Sequence, residues 1–298
     1  MVSQHYSIKL TSMKIFIFLL FLTSFSFAQD LPARWDELTT SDWSKAIDKS
    51  SKTCILPIGI LEKHGPHSPL GTDLIHVREV AARVVKNEYA VVFPDYYYGQ
   101  INEARQQPGT FALPSHLIYE LLEATCDEIA RNGFDKIVIL NGHGGNPEFL
   151  HFFMQSQLNK RKNYVVYLYD PEQDPAFAEK YKKLSKSDPA GDMHAGERET
   201  STMLFLKPEL MRMGQAEKES GSNQDRLKIP GVYTPIWWYA GFPNHYAGEG
   251  GKATRELGQL IAEHEISSFT KTLKAVKGDI KALELQNEFY DRVEKVIK

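Results

Sequence analysis

An α/β fold built on a mainly parallel sheet covered by helices is what this sequence predicts, on three observations. Strand-like and helix-like segments alternate from residue 54 to residue 169. Two of the strands, 54–60 (CILPIGI) and 136–140 (KIVIL), are almost unbroken apolar runs, as expected of strands buried on both faces. Both run into polar, glycine-containing turns, which is where the ligand crevice of an open α/β sheet forms.

The elements follow in order. Residues 76–87 (HVREVAARVVKN) have helical periodicity, and 89–94 (YAVVFP) read as the next strand. Ser115 stands as the cap of a helix with apolar positions at Leu117, Leu121, Leu122, Ile129 and Ala130, which stops near Asn132-Gly133. Strand 136–140 leads into Asn141-Gly142-His143-Gly144-Gly145-Asn146-Pro147, then a helix over 148–161 and a strand at 164–169 (YVVYLY). Residues 171–192 are charged and loop-like or loosely helical, with a helix expected through 200–205. Residues 207–251 carry many Gly, Pro and aromatic residues with little periodicity, which predicts long functional loops rather than a second core. Helices over 252–275 and 279–296 close the chain, with no internal repeat and no low-complexity linker.

With 298 residues, 42% hydrophobic and 24% charged, the chain can bury a full core, and one domain over 29–298 is expected. Residues 1–28 are expected to lie outside it. An apolar run, IFIFLLFLTSFSF, follows Lys9 and Lys14 and ends at Phe27-Ala28-Gln29, the pattern of a secretory signal peptide cleaved after Ala28. Met13 directly precedes the run and is an alternative start. At about 13 residues the run is shorter than the roughly 20 a permanent membrane helix needs, so no stable membrane span is expected and the mature protein should be exported, periplasmic or secreted. Residues 1–28 hold two lysines and no acids, which moves the formal net charge from −3 to about −5 and makes nucleic acid an unsuitable partner. A single pair, Cys54 and Cys126, is no disulfide framework for a domain of this size, and buried free thiols are the expectation.

Three segments carry chemistry. Glu62 and His64 lie two residues apart after strand 54–60, a spacing that points both to one side of extended backbone while Lys63 points to the other. Asp73 arrives nine residues later through the loop GPHSPLGTD, placed to bridge two cations. His143 sits among Gly142, Gly144 and Gly145, where small residues permit close approach and positive φ. His194, Glu197 and Glu199 come from the turn into a further helix. Taken singly each has a plainer role: His143 a turn residue, Asp73 a helix cap, Glu197 and Glu199 first-turn acids facing a helix dipole. Their conjunction in Gly-rich turns points instead to a metal centre. Glu62, His64, Asp73, His143 and Glu199 make three carboxylates and two imidazoles, a set suited to two divalent ions, zinc or manganese. His67, His76, His116, His151, His245 and His264 read as structural, His67 and His245 least firmly.

These residues resemble the creatininase family, the creatinine amidohydrolases and their relatives. The run PIGILEKHGPHSPLGTD over 57–73 is similar to that family's first motif, NGHGGN over 141–146 to its second, and His194-Ala195-Gly196 with Glu199-Thr200-Ser201 to its third, across roughly residues 35–260. The resemblance implies a three-layer α/β/α fold, metal binding by Glu62, His64, Asp73 and His143 with Asp73 shared, His194 as proton donor near the leaving group, and a homo-oligomer, a hexamer. In creatininase proper a metal-binding carboxylate stands two residues after the second-motif His. This chain has Gly145 there, so Glu199 has to supply that ligand, which argues against creatinine itself as substrate. The aromatic segments Trp237-Trp238-Tyr239 and Asn244-His245-Tyr246 also depart from the family pattern and read as a substrate lid.

The reaction expected is hydrolysis of an amide or cyclic amide C–N bond of a small molecule by a metal-held hydroxide, with His194 or Glu197 passing a proton to the departing nitrogen. A deformylase, a peptide-trimming hydrolase or a lactone-opening enzyme would use the same centre on a different bond. An exported binding protein is the rival from another class, and it would have no need of two ions.

Overall fold

The computed structural model describes residues 1–2 and 30–296, so the signal-peptide expectation lies outside the described residues. The described residues from Leu31 onward form one compact unit. Among the described residues no helix is long and apolar enough to cross a membrane.

Helix α1 (Trp43–Lys49) precedes strand β1 (Thr53–Ile58), and helix α2 (Thr72–Asn87) precedes strand β2 (Val91–Val92). Helix α3 (Ser115–Arg131), strand β3 (Lys136–Asn141), helix α4 (Pro147–Ser156) and strand β4 (Val165–Leu168) complete the sheet and one helical layer. Then come α5 (Pro175–Leu184), α6 (Glu197–Leu206), the short α7 (Trp237–Gly241), α8 (Arg255–Gly278) and α9 (Lys281–Val293). The strands are all parallel in the order β2-β1-β3-β4, with Cys54 opposite Ile137 and Ile58 opposite Asn141.

Alternation along the strands builds a three-layer α/β/α sandwich. Cys54, Leu56, Ile58, Ile137 and Ile139 face one way and pack on Leu122, Cys126 and Ile129 of α3 and on Leu150 and Phe153 of α4. Ile55, Val138 and Leu140 face the other way, onto Val77, Val80, Ala81 and Val84 of α2 and Phe269, Leu273 and Val276 of α8. Because side chains alternate with period two, a strand covered on both faces is apolar along its covered stretch, as 54–58 of β1 and 137–140 of β3 are. Cys54 and Cys126 are buried free thiols, and burial pushes the Cys126 thiol up to about 12, so neither is poised to react.

Several boundaries differ from the sequence expectation. Helix α2 begins at Thr72, four residues early, and so takes Asp73 into its first turn instead of leaving it as a cap. Ser115 is the first residue of α3, with extended Pro114 in the capping position and no side-chain cap. Strand β2 keeps two residues of the six expected, pairing with β1 on one side and bridged only at Val92, to Arg34, on the other. Helix α4 stops at Ser156 and α6 starts at Glu197, three residues early.

The order 2-1-3-4 places a topological switch between β1 and β3, and the crevice beyond the carboxyl ends of those two strands is where such a sheet holds a ligand. Two glycines bring the start of α2 into that crevice. A Cβ at Gly59 would lie 2.2 Å from the Leu74 Cα, and one at Gly142 would lie 2.7 Å from the Asp73 carbonyl oxygen. Only glycine lets the strand ends close on the α2 backbone, and that approach fixes Asp73 between the segments bearing Glu62 and His143.

Candidate metal centre

Four of the residues singled out from sequence meet at this crevice. Glu62 and His64 follow β1, Asp73 lies in the first turn of α2, and His143 follows β3; their side chains are 0 to 5% exposed. His143 Nδ1 stands 2.7 Å from Glu62 Oε1 and 3.0 Å from Asp73 Oδ2. His64 Nε2 stands 2.9 Å from Asp73 Oδ1. The two Asp73 oxygens are thus divided between two imidazoles. Lys63 points the other way and pairs with Glu219 at 2.5 Å.

The third segment supplies a neighbouring group. Glu199 Oε2 is 3.8 Å from both His64 Nε2 and His194 Nδ1, and it accepts from the Ala195 amide at 2.6 Å. Glu62, Asp73 and His143 offer three ligand atoms within 4.8 Å of one another, and His64, His194 and Glu199 offer three more.

The donor set fits divalent cations better than a closed hydrogen-bond network. His143 Nε2 is 2.9 Å from the Gln100 carbonyl and donates to it, so Nδ1 is the atom aimed at Glu62 and Asp73. Glu62 Oε1 and Asp73 Oδ2 are buried with no hydrogen-bond partner. His64 Nδ1 faces the Glu62 carbonyl at 3.3 Å, which leaves Nε2 for Asp73. A neutral ring would turn a lone pair toward carboxylate oxygens at each place, a repulsion that either a proton or a cation must relieve. Without a cation the protons stay. Burial opposes a charged ring, yet Asp73, Glu62 and Glu199 together hold the His64 imidazole up to about 10. His143 is likewise held well above its usual range against burial, by Glu62 and Asp73. Asp73, despite its burial, is held well below the carboxylate range by His64 and His143. His194 differs. Burial lowers it, and its Nε2 donates to the Lys63 carbonyl at 2.8 Å, so it stays neutral with a lone pair on Nδ1.

Glu197, expected as a proton donor, lies elsewhere. Its carboxylate accepts from the Lys186 and Ser187 amides at 2.9 and 2.7 Å and from the Ser185 hydroxyl at 2.9 Å, tying the loop after α5 to α6. Positions two apart on a helix face about 200° apart, so Glu197 and Glu199 cannot both turn to the crevice. Glu197→Gln is therefore expected to lower stability by about 1–3 kcal/mol through unmet donors while metal content stays that of the wild type, checked by thermal melting and metal analysis. The Glu197 carboxyl is held below its usual range by these donors against some burial, so its contribution is present above the unfolded pKa and is lost as pH falls.

His67 and His245 part company. His67 is buried against the Thr200 hydroxyl at 2.8 Å and holds loops together. His245 enters the centre, with Nε2 2.5 Å from Glu62 Oε2 and its ring 4.4 Å from that of His194. Trp238 is buried behind it rather than lying as an open lid, while Trp237 and Tyr239 are exposed.

Gly142 and Gly145 serve proximity, and none of Gly142, Gly144 and Gly145 adopts a positive φ. A Cβ at Gly145 would stand 2.5 Å from His143 Nε2, whereas one at Gly144 meets nothing within 4 Å. Gly145→Ala is expected to weaken metal binding about 10–100-fold by displacing His143 from the Gln100 carbonyl, and Gly144→Ala to leave it unchanged, both read by competition with a chromophoric chelator.

A cavity of about 990 Å³ opens on Asp73, His143 and Glu199 and extends to Phe177, Tyr181 and Arg198. Phe177 stacks on His264 with centroids 4.0 Å apart. Beside the cluster, His76 Nε2 pairs with Glu265 at 2.7 Å on the cavity wall.

Comparison with known proteins follows the same lines. The Creatininase family model, described as creatinine amidohydrolase, matches residues 36–273. The chain is 26% identical over 250 residues to creatinine amidohydrolase of Pseudomonas putida, covering 76% of this chain and 90% of that one. It is 33% identical over 161 residues to mycofactocin precursor peptide peptidase of Mycolicibacterium smegmatis, 52% of this chain and 58% of that one. A solved structure named as manganese creatininase superposes with a TM-score of 0.69 at 22% identity over 83% of this chain and 99% of that one.

Proposed function

The chain belongs to the creatininase family, and from that premise we propose that it is an exported two-metal amidohydrolase cleaving a C–N bond in an amide larger than creatinine. One observation carries the reading: Glu62, Asp73 and His143 bring three ligand atoms within 4.8 Å of one another, His64, His194 and Glu199 bring three more, and Asp73 Oδ1 lies 2.9 Å from His64 Nε2 of the second group. Divalent cations held there would polarise a substrate carbonyl and acidify water at neutral pH. Glu62, Asp73 and His143 would hold one and His64, Asp73 and Glu199 the other. His194, kept neutral and fixed by the Lys63 carbonyl, would take a proton on Nδ1 from the attacking water and deliver it to the departing nitrogen, a step typically contributing 10²- to 10⁴-fold. The cavity supports a larger substrate, since 990 Å³ lies at the upper end of the range that encloses drug-sized ligands, whereas creatinine has eight heavy atoms.

A peptide-trimming reaction is the second reading, favoured by the same cavity and by the similarity to a relative named as a peptide peptidase. Metal analysis of the purified protein, followed by assay on amides, short peptides, formamides and lactones, tests both. Two ions per chain and turnover of amides or peptides are expected. Turnover of lactones alone would move the chemistry to a different bond, and a chain purified without stoichiometric metal that takes none up would remove the hydrolase reading.

A further inference from the structure

We propose that Trp238 and His245 are positioning residues that fix which oxygen of Glu62 faces the metal centre, and that His245, although within reach, is not itself a ligand; the inference rests on the metal-centre reading of Glu62. The Trp238 indole N–H, which can only donate, lies 2.7 Å from His245 Nδ1. Nδ1 must therefore carry the lone pair, and the ring hydrogen sits on Nε2, 2.5 Å from Glu62 Oε2, to which it donates. Exposure falls from 8% at Trp238 through 2% at His245 to nil at Glu62, so no water competes for these bonds.

Two consequences follow. Glu62 Oε2, His194 and His245 are close enough to frame a third candidate cation position. A neutral ring that accepts from Trp238 on Nδ1 has no lone pair left on Nε2, so that position closes for as long as the indole bond holds. The second consequence concerns Glu62. With Oε2 engaged by His245, Oε1 is the oxygen turned to His143 Nδ1, 2.7 Å away. The relay thus presents Glu62 through one oxygen in a fixed plane.

The backbone holds this aim. His245 has φ of +55°, in the left-handed region that a residue with a side chain rarely adopts. The conformation is held by the His245 amide to the Phe242 carbonyl at 3.0 Å, and by Ala247 bonded in both directions to His194 at 2.9 and 3.0 Å.

The test uses full-length Trp238→Phe, His245→Leu and His245→Gln, with zinc as the probe. Zinc affinity is measured by competition with a chelator, stoichiometry at saturating zinc, and the His245 tautomer by ¹⁵N NMR of histidine-labelled protein. Trp238→Phe and His245→Leu should each weaken zinc binding about 10–100-fold while two ions still bind at saturation. His245→Gln, able to accept from Trp238 and donate to Glu62, should rescue affinity close to wild type. His245 should remain the Nε2–H tautomer before and after zinc. Loss of an ion from His245→Gln at saturation, or a zinc-induced shift at Nε2, would make His245 a ligand and overturn the proposal. Unchanged affinity in all three variants of a zinc-binding protein overturns the relay alone, whereas a wild type that takes up no zinc overturns the metal-centre reading with it. Should His245→Leu fail to fold, Trp238→Phe and His245→Gln decide.

Discussion

Asp73→Ala is expected to abolish both metal retention and turnover, with kcat/KM falling by about 10³-fold or more. The two oxygens of Asp73 divide between both imidazoles of the cluster, Oδ1 to His64 at 2.9 Å and Oδ2 to His143 at 3.0 Å. Removing it takes an anionic ligand from both candidate positions, whereas Glu199→Ala touches only the second. Lewis-acid assistance is worth several kcal/mol, and each 1.36 kcal/mol is a decade in rate, which sets the size of the loss. The same change strips a counter-charge from two buried rings, and breaking such a pair costs about 3–5 kcal/mol, so Asp73→Asn, which keeps the shape and one acceptor oxygen, serves as the second variant. Metal analysis after dialysis and circular dichroism check the two effects separately. An Asp73→Ala protein that is folded, active and still holds two ions would refute the shared-ligand arrangement.

The elements and residues legible in the sequence were those whose signal is local. Strands β1 and β3 stood out because burial on both faces demands apolar residues along the covered stretch. Strand β2 was overextended because Tyr89 to Pro94 has the composition of a strand, while how much of it pairs depends on an edge position that composition does not record. Glu62, His64, Asp73 and His143 could be found because ligand-type residues crowded into Gly-rich turns at strand ends have few structural uses, and the structure brings those four together. Glu197 bonds to the loop after α5 and is not in the centre, and helical geometry already signals this by turning it away from the face Glu199 occupies. His245 had no such signal. Its contact with Glu62 spans 183 residues, and its segment lacks the periodicity that would announce an element. Trp238, in a helix of five residues, reads from sequence as a lid for the same reason: an indole next to a loop looks exposed until the fold buries it against His245.

The remaining large effect is a competition between protons and metal. In the metal-free protein His64 is held up to about 10 and His143 well above its usual range, so both rings are protonated at neutral pH, each proton relieving the repulsion that a cation would relieve instead. The sign follows from the unfolded value of about 6.5. A ring whose folded pKa is raised contributes stability that is fully present below 6.5 and is lost as pH rises through about 10, so this cluster stabilises the metal-free chain less at pH 9 than at pH 6.5. Asp73, held low, contributes above the unfolded carboxylate pKa and loses that contribution only as pH falls through its folded value. Metal binding requires both rings without those protons, so zinc affinity must rise with pH across the same window. Each displaced proton is worth tenfold per pH unit, so the His64 proton gives about tenfold per unit between pH 6.5 and 8.5 and the His143 proton steepens the rise. Calorimetry in two buffers of different ionisation enthalpy should report release of about two protons per chain on zinc loading, and melting curves should show the zinc-dependent rise in stability widening with pH. A flat affinity over that range, with no proton released, would mean that the two imidazoles already face the metal positions unprotonated.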